Sequence, residues 1–299
     1  MIETIKYSNI SWTHINNPKD DDFDFLINEY KFHPLDIDDC KNIKNIRPKI
    51  DVYDNYYFMN LHFPVYDKFN NFIEIRELKI FWGKKYIITL VKGDLKVKDI
   101  FNDEKKNKLL DINNSDTLLY NILNKLNNKT QNVIDKTEQD VNDCGKMIFD
   151  KRAEKTIQKI SMSRKNIILL NTMIKPHIIL FSKLNNGVID GFAKNMDDYW
   201  GNILDYYQKL WDTIEDLGEL ITGYSTTFDS LQANKTNEVM KILTLISSIL
   251  LPMTFVASLY GMNIILPLQN NSNSFSLILI IMALIVIIMI SYFKFKKWI

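Results

Sequence analysis

The chain is poor in the residues that most often carry chemistry. Two cysteines, Cys40 and Cys144, stand far apart in 299 residues. They offer no disulfide framework and no metal-ligand spacing, and read as buried thiols in a reducing compartment. The four histidines, His14, His33, His62 and His177, are scattered, without the short spacing of a zinc site. There is no glycine-rich phosphate loop, so no nucleotide is expected as a partner. There is no Ser-His-Asp signature either, so the chain is not read as an enzyme. The net charge of +1 excludes a bulk field that would draw in nucleic acid. The start of the chain, Met-Ile-Glu-Thr-Ile-Lys-Tyr, lacks the apolar core of a signal peptide, and the N-terminal part is expected in the cytoplasm.

One further absence sets the domain plan. From Ile242 to Phe293 there is no Asp, Glu, Lys, Arg or His. Two apolar runs fill that stretch, residues 242–263 and 275–293, each long enough to cross ~30 Å of hydrocarbon. The alternative for such runs is a buried core helix; two in tandem around a short Asn-rich loop, 264–274, favour membrane spans. Lys235 and Lys241 precede the first run, Lys294, Lys296 and Lys297 follow the second, and the loop has no basic residue. Positive residues stay inside, so both termini are expected in the cytoplasm, the loop outside, and 294–299 as a basic cytoplasmic tail.

Before the spans the chain reads as α+β. Residues 1–195 are expected to form a cytoplasmic α/β domain with a helical arm. Val52–Val65 suggests a strand, and Leu78–Val91 a hairpin around Trp82-Gly83-Lys84-Lys85. Asp22–Tyr30 and Pro34–Lys41 suggest short helices. A longer helix starts near Asp116, with Ser115 or Asp116 as its N-cap. A second runs from about Lys151 to Ile174, where Pro176 is expected to end or kink it. Asn185–Gly191 reads as a loop. The third helical region, 196–241, has no clear stop before the first span. Continued to Asn263, it would be one helix of roughly 100 Å, weakened by Gly201, Gly218 and Gly223 and kinked by Pro252.

This long helix carries two stripes at alternating three- and four-residue spacing. The apolar one, Leu210, Ile214, Leu217, Ile221, Tyr224, Phe228 and Leu231, is a packing seam. The other runs Asp212, Asp216, Glu219, Gly223, Thr226, Ser230, Ala233, Asn237, Met240, Thr244, Ser247, Leu251, Thr254 and Ser258. It is acidic, small or polar before the span and stays largely small and hydroxylated within it. Two accounts fit: a face lining an axis shared by copies of the chain, or helix packing through small residues.

Asn234-Lys235-Thr236-Asn237-Glu238-Val239-Met240-Lys241, then Leu251-Pro252-Met253-Thr254-Phe255, then Tyr260-Gly261-Met262-Asn263 resemble the CorA magnesium channels. His33-Pro34-Leu35, Arg47-Pro48-Lys49, Tyr66-Asp67 and the lysine-rich tail are similar to that family as well, so the resemblance covers nearly the whole chain. It implies a homopentameric funnel in the cell membrane, whose long stalk helix becomes the first span and lines the pore. Tyr260, Gly261, Met262 and Asn263 would form the selectivity filter, with Asn263 as the outer ring. Asn237, Met240, Leu243, Thr244, Ser247, Leu251, Thr254 and Ser258 would line the pore below it. Lys294, Lys296 and Lys297 would form a basic ring. All but Leu243 of these pore positions lie on the second stripe, and Leu243 adjoins Thr244.

The resemblance further implies Mg²⁺ as cargo and as a regulatory ion held between neighbouring cytoplasmic domains. Asp38, Asp39 and Glu138 are its candidate ligands; each has a plainer reading as a solvated or capping residue. The sequence departs from the family in three places. Asn202 stands where the stalk partner carries charge, leaving Asp198 or Asp205 as substitutes. Thr226 replaces an acid at the inner mouth. The outer loop reads Leu266-Pro267-Leu268, with no acidic residue. Two other functions compete: a zinc, cobalt or nickel transporter of the same superfamily, and a membrane-tethered cytoplasmic protein for which the spans are only an anchor.

Overall fold

A computed structural model describes residues 2–41, 47–67, 72–107, 112–149, 153–262 and 273–298. The chain divides into two units, 1–225 and 226–299.

The first unit is built on a six-stranded sheet in the order β1-β2-β6-β5-β4-β3. Its strands are β1 (Ile2–Lys6), β2 (Ser11–Asn16), β3 (Lys49–Val52), β4 (Tyr56–Asp67), β5 (Phe72–Gly83) and β6 (Tyr86–Val91). Every neighbour pair is antiparallel except β2 with β6. The expected hairpin is present, with Lys84 and Lys85 as its two-residue turn and Gly83 opposite Tyr86. A Cβ on Gly83 would collide with the Tyr86 ring, so the close of the hairpin favours glycine there. The strand expected over Val52–Val65 is two, β3 and β4, broken at residues 53–55, where Tyr53 N–H bonds back to Tyr56 O.

Tyr56 to Pro64 of β4 is buried without alternation, because helices cover both faces of the sheet. On one face lie α1 (Asp20–Tyr30) and α2 (Pro34–Lys41). Phe23, Leu26, Phe32 and Ile37 join Phe58, Phe81 and Ile88 in one core there, with Phe32 stacked on Phe81 at 3.9 Å. On the other lie α3 (Val97–Asn107), α4 (Ser115–Met147) and α5 (Ala153–Asn185).

Two sequence expectations need correction here. The N-cap of α4 is Asn114, not Ser115 or Asp116. Its side chain accepts the Thr117 N–H at 2.8 Å, while the Thr117 hydroxyl oxygen accepts the Asn114 N–H at 3.2 Å. This reciprocal pair satisfies two otherwise orphaned donors. Asp116 is fully buried instead, and accepts from Ala193 N–H at 2.8 Å and Trp82 Nε1 at 3.3 Å. It thereby fixes the segment leading from α5 into the next helix; a Cβ on Gly191 would collide with its carboxylate. Burial pushes the Asp116 carboxyl above its usual range, against these donors.

The second correction concerns the end of α5: the helix does not stop at Ile174 but runs through Pro176 to Asn185. Proline in a helix interior costs about 3 kcal/mol, but Met173, Ile174, His177, Leu180 and Phe181 are all buried around it. His177 accepts the His62 N–H on Nε2, so Nδ1 carries the proton and donates to Met173 O at 2.8 Å. Its ring stacks on Tyr207 at 4.8 Å. Burial holds it neutral, with a pKa pulled down to about 3.

A single helix, α6, spans Asp197–Tyr260, and α7 spans Ser274–Phe295. The expected apolar seam of α6 is covered at Leu210, Ile214, Leu217, Ile221 and Phe228, and half-covered at Tyr224. Leu231 is exposed, and ends it. Among the described residues three helices are long and apolar enough to cross a membrane: α5, α6 and α7. The most apolar window of α5 is 44% buried inside the protein, whereas those of α6 and α7 are uncovered. That contrast marks α5 as part of the soluble core.

Candidate ion pathway on helix α6

All fourteen positions of the second stripe, from Asp212 to Ser258, are exposed. The candidate pore residues Asn237, Met240, Leu243, Thr244, Ser247, Leu251, Thr254 and Ser258 are therefore open on their own chain. Met240 and Leu243 are each 57% exposed, and Leu251 67%; three large apolar side chains so uncovered mark a face that the protomer itself does not pack. Leu245, Ser248, Ile249, Pro252, Met253, Val256 and Leu259 are buried or half-covered, and lie on another face of the same helix. The helical period thus separates the two faces within the uncharged stretch.

Two threonine hydroxyls on the open face do not depend on a neighbour. Thr244 donates to Met240 O at 2.8 Å, and Thr254 lies within 3.0 Å of Leu250 O and 2.9 Å of Leu251 O. Each is satisfied by its own helix, and its oxygen lone pairs remain available to an aqueous partner.

At the end of α6, Gly261 N–H reaches Ala257 O at 3.0 Å and Met262 N–H reaches Leu259 O at 3.3 Å. Tyr260, Gly261 and Met262 are exposed. Gly261 does not adopt the left-handed conformation of a glycine helix cap. A Cβ there would lie 3.3 Å from Ala257 O, a tight contact. Asn263, and the loop with Leu266, Pro267 and Leu268, lie outside the described residues.

The basic tail begins with a defined turn. Lys297 has φ 55°; its N–H bonds to Lys294 O at 3.1 Å, and Trp298 N–H to Phe293 O at 2.9 Å. This is a Schellman closure, and the Trp298 and Phe293 rings stack at 5.9 Å. Lys294, Lys296 and Lys297 are left exposed.

The regulatory candidates do not come together within one chain. Asp38 is exposed on α2, and Asp39 is paired with Lys49 at 2.8 Å. Glu138, Asp198 and Asp205 are exposed on α4 and α6. Asn202 donates to Tyr120 at 2.9 Å. Among the described residues no three His, Cys, Asp or Glu side chains are grouped to hold a metal. Sequence reasoning missed Asp36, which anchors the helix carrying Asp38 and Asp39. It is 1% exposed and accepts from Tyr53 at 3.0 Å and Tyr56 at 2.8 Å. Burial raises its pKa, against these two bonds. A run of three acids in Pro34–Lys41 gave no sign of which one turns inward.

The histidines serve structure. His177 and His62 are joined, and His14 bonds Thr89 at 3.0 Å.

Comparison with known proteins agrees with this architecture. The cobalt/magnesium transport protein CorA of Thermotoga maritima is 27% identical over 276 residues, 90% of this chain and 78% of that protein. The solved structure of the CorA magnesium transporter from Methanocaldococcus jannaschii superposes with a TM-score of 0.83 at 20% identity, covering 99% of this chain and 94% of that one. The full-length CmaX protein gives a TM-score of 0.76 at 16% identity, covering 97% and 88%. Residues 7–297 match the family described as CorA-like Mg2+ transporter protein. With nearly the whole chain inside that match, the protein belongs to this family and is a CorA-family divalent cation transporter.

Proposed function

We propose that the chain assembles as a homopentamer in the cell membrane and conducts Mg²⁺ into the cell, with both termini in the cytoplasm. The observation that carries this reading is the open stripe of α6. It continues in one phase from carboxylates through Asn237 into a hydroxylated, uncharged section and ends at Tyr260-Gly261-Met262. Five such faces around an axis would give a pore with α6 inside and α7 toward lipid.

Mg²⁺ releases its water reluctantly. A ring of Asn263 carboxamides suits it, because amide oxygens accept hydrogen bonds from the water bound to the ion. Carboxylates would hold it more tightly and slow its release. Two charges crossing 100 mV, inside negative, gain about 4.6 kcal/mol, so the membrane potential can drive entry. Met240 and Leu243 supply an apolar constriction that closes by dewetting. Cytoplasmic Mg²⁺ bridging carboxylates of adjacent subunits would hold this state, and its loss would let the stalks separate. Lys294, Lys296 and Lys297, with Trp298, sit where a basic and aromatic belt meets the cytoplasmic lipid face.

The test is uptake by vesicles containing the purified protein. Asn263→Ala is expected to lower Mg²⁺ flux by at least about tenfold without loss of assembly. Unchanged flux would leave the spans as an anchor. Zn²⁺ uptake exceeding Mg²⁺ uptake would replace Mg²⁺ with a transition metal as cargo.

A further inference from the structure

We propose that the soluble unit carries a second binding site, for a nucleotide-like anion, a flat aromatic ring bearing phosphate. The site is a cavity of about 610 Å³ bounded by Arg47, Asn171, Thr172, Lys175, Pro176 and Trp211. Its size is that of a small-ligand pocket, and none of these residues belongs to the ion pathway.

Three observations point to the ligand. Arg47 and Lys175 both line the cavity, with no carboxylate among its described lining residues. Among the described residues neither forms an ion pair; Lys175 Nζ rests 5.6 Å from the Trp211 ring centroid. Two unneutralised cations facing one cavity favour an anion, and a guanidinium matches phosphate geometry. Next, the Trp211 indole offers a face on which a base can stack. Last, the wall holds acceptors without donors. Asn171 Oδ1 is buried with no hydrogen-bond partner, which is rare among buried polar atoms. Pro176 has no N–H, so the Thr172 carbonyl lacks its helical donor, and the Thr172 hydroxyl turns to Leu169 O at 2.8 Å. These acceptors suit a ligand edge that carries N–H groups. The site is unlike a phosphate loop, and binds without hydrolysis.

The experiment titrates the full-length protein in detergent, without Mg²⁺, with a fluorescent methylanthraniloyl-ATP, followed by anisotropy. Saturable binding is expected, displaced by ATP, with adenosine and pyrophosphate each at least about tenfold weaker competitors. Arg47→Gln and Lys175→Gln should each weaken binding about tenfold, while Lys209→Gln, an exposed charge outside the cavity, should leave it unchanged. Equal melting midpoints would verify that all three variants are folded. Absence of saturable binding, equal affinity in the cavity variants, or pyrophosphate competing as well as ATP would overturn the proposal. Binding is read without transport, so failure of this site and failure of the channel reading are separate results.

Discussion

The two units handle polar groups in opposite ways. The first buries them and pairs them within the chain: Asp36 with two tyrosines, Asp116 with Ala193 and Trp82, His14 with Thr89, His177 with His62 and Met173. The second leaves them on an open helix face and satisfies them by its own backbone, as at Thr244 and Thr254. The first unit draws stability from its polar groups. Those of the second are spare for stability and free for another task, so the same substitution should register differently in the two.

The largest effect expected is acid sensitivity of the first unit. The pKa of His14 is pulled down to about 4 and that of His177 to about 3, each chiefly by burial. Their unfolded forms titrate near 6.5. Below that value the unfolded state binds protons that the folded state refuses, so stability falls as pH drops from about 6.5 toward 4. At pH 5 each histidine should cost about 2 kcal/mol. Melting midpoints of the solubilised protein between pH 7 and 5 measure this, and His177→Gln should flatten the slope. A slope unchanged by that substitution would remove His177 from the account.

Next in size is Asp116→Ala. Buried donors at Ala193 and Trp82 would lose their acceptor, costing about 1–3 kcal/mol. The melting midpoint should drop, and amide exchange should quicken around residues 190–193. The smallest effect belongs to the second unit. Thr254→Val should change stability by less than about 0.5 kcal/mol while lowering Mg²⁺ flux. A large loss of stability there would break the contrast between the units.

How much was legible in the sequence follows the same division. The exposed stripe, the seam and the helix up to Tyr260 could be read because a long helix repeats one rule of spacing. The seam failed only at Leu231, where exposure begins. Strands β1 and β2 were missed because Ser11–Asn16 buries Thr13 and His14 beside Trp12 and Ile15, so no alternation shows. Helix α3 was missed for a related reason: Lys98, Asp99, Asn102, Asp103, Lys105 and Lys106 crowd its eleven residues and mask the buried Val97, Ile100 and Phe101. Pro176 did not end α5 because local propensity loses to tertiary packing when both flanks of a helix are buried. The inward turn of Asp36 and Asp116 depends on partners 17 to 77 residues away, which no local pattern encodes.

The central claim, that the open face of α6 lines a water-filled path between copies of the chain, is tested most directly by cysteine accessibility during ion flux. Single cysteines at Ser247, Leu251 or Thr254, and at Ile249, Met253 or Val256, would be treated with a charged, membrane-impermeant thiol reagent; the native Cys40 and Cys144 are buried. Block of Mg²⁺ flux at the first three positions and not at the second three is the predicted result. Block at the second set, or equal insensitivity of both, would contradict it.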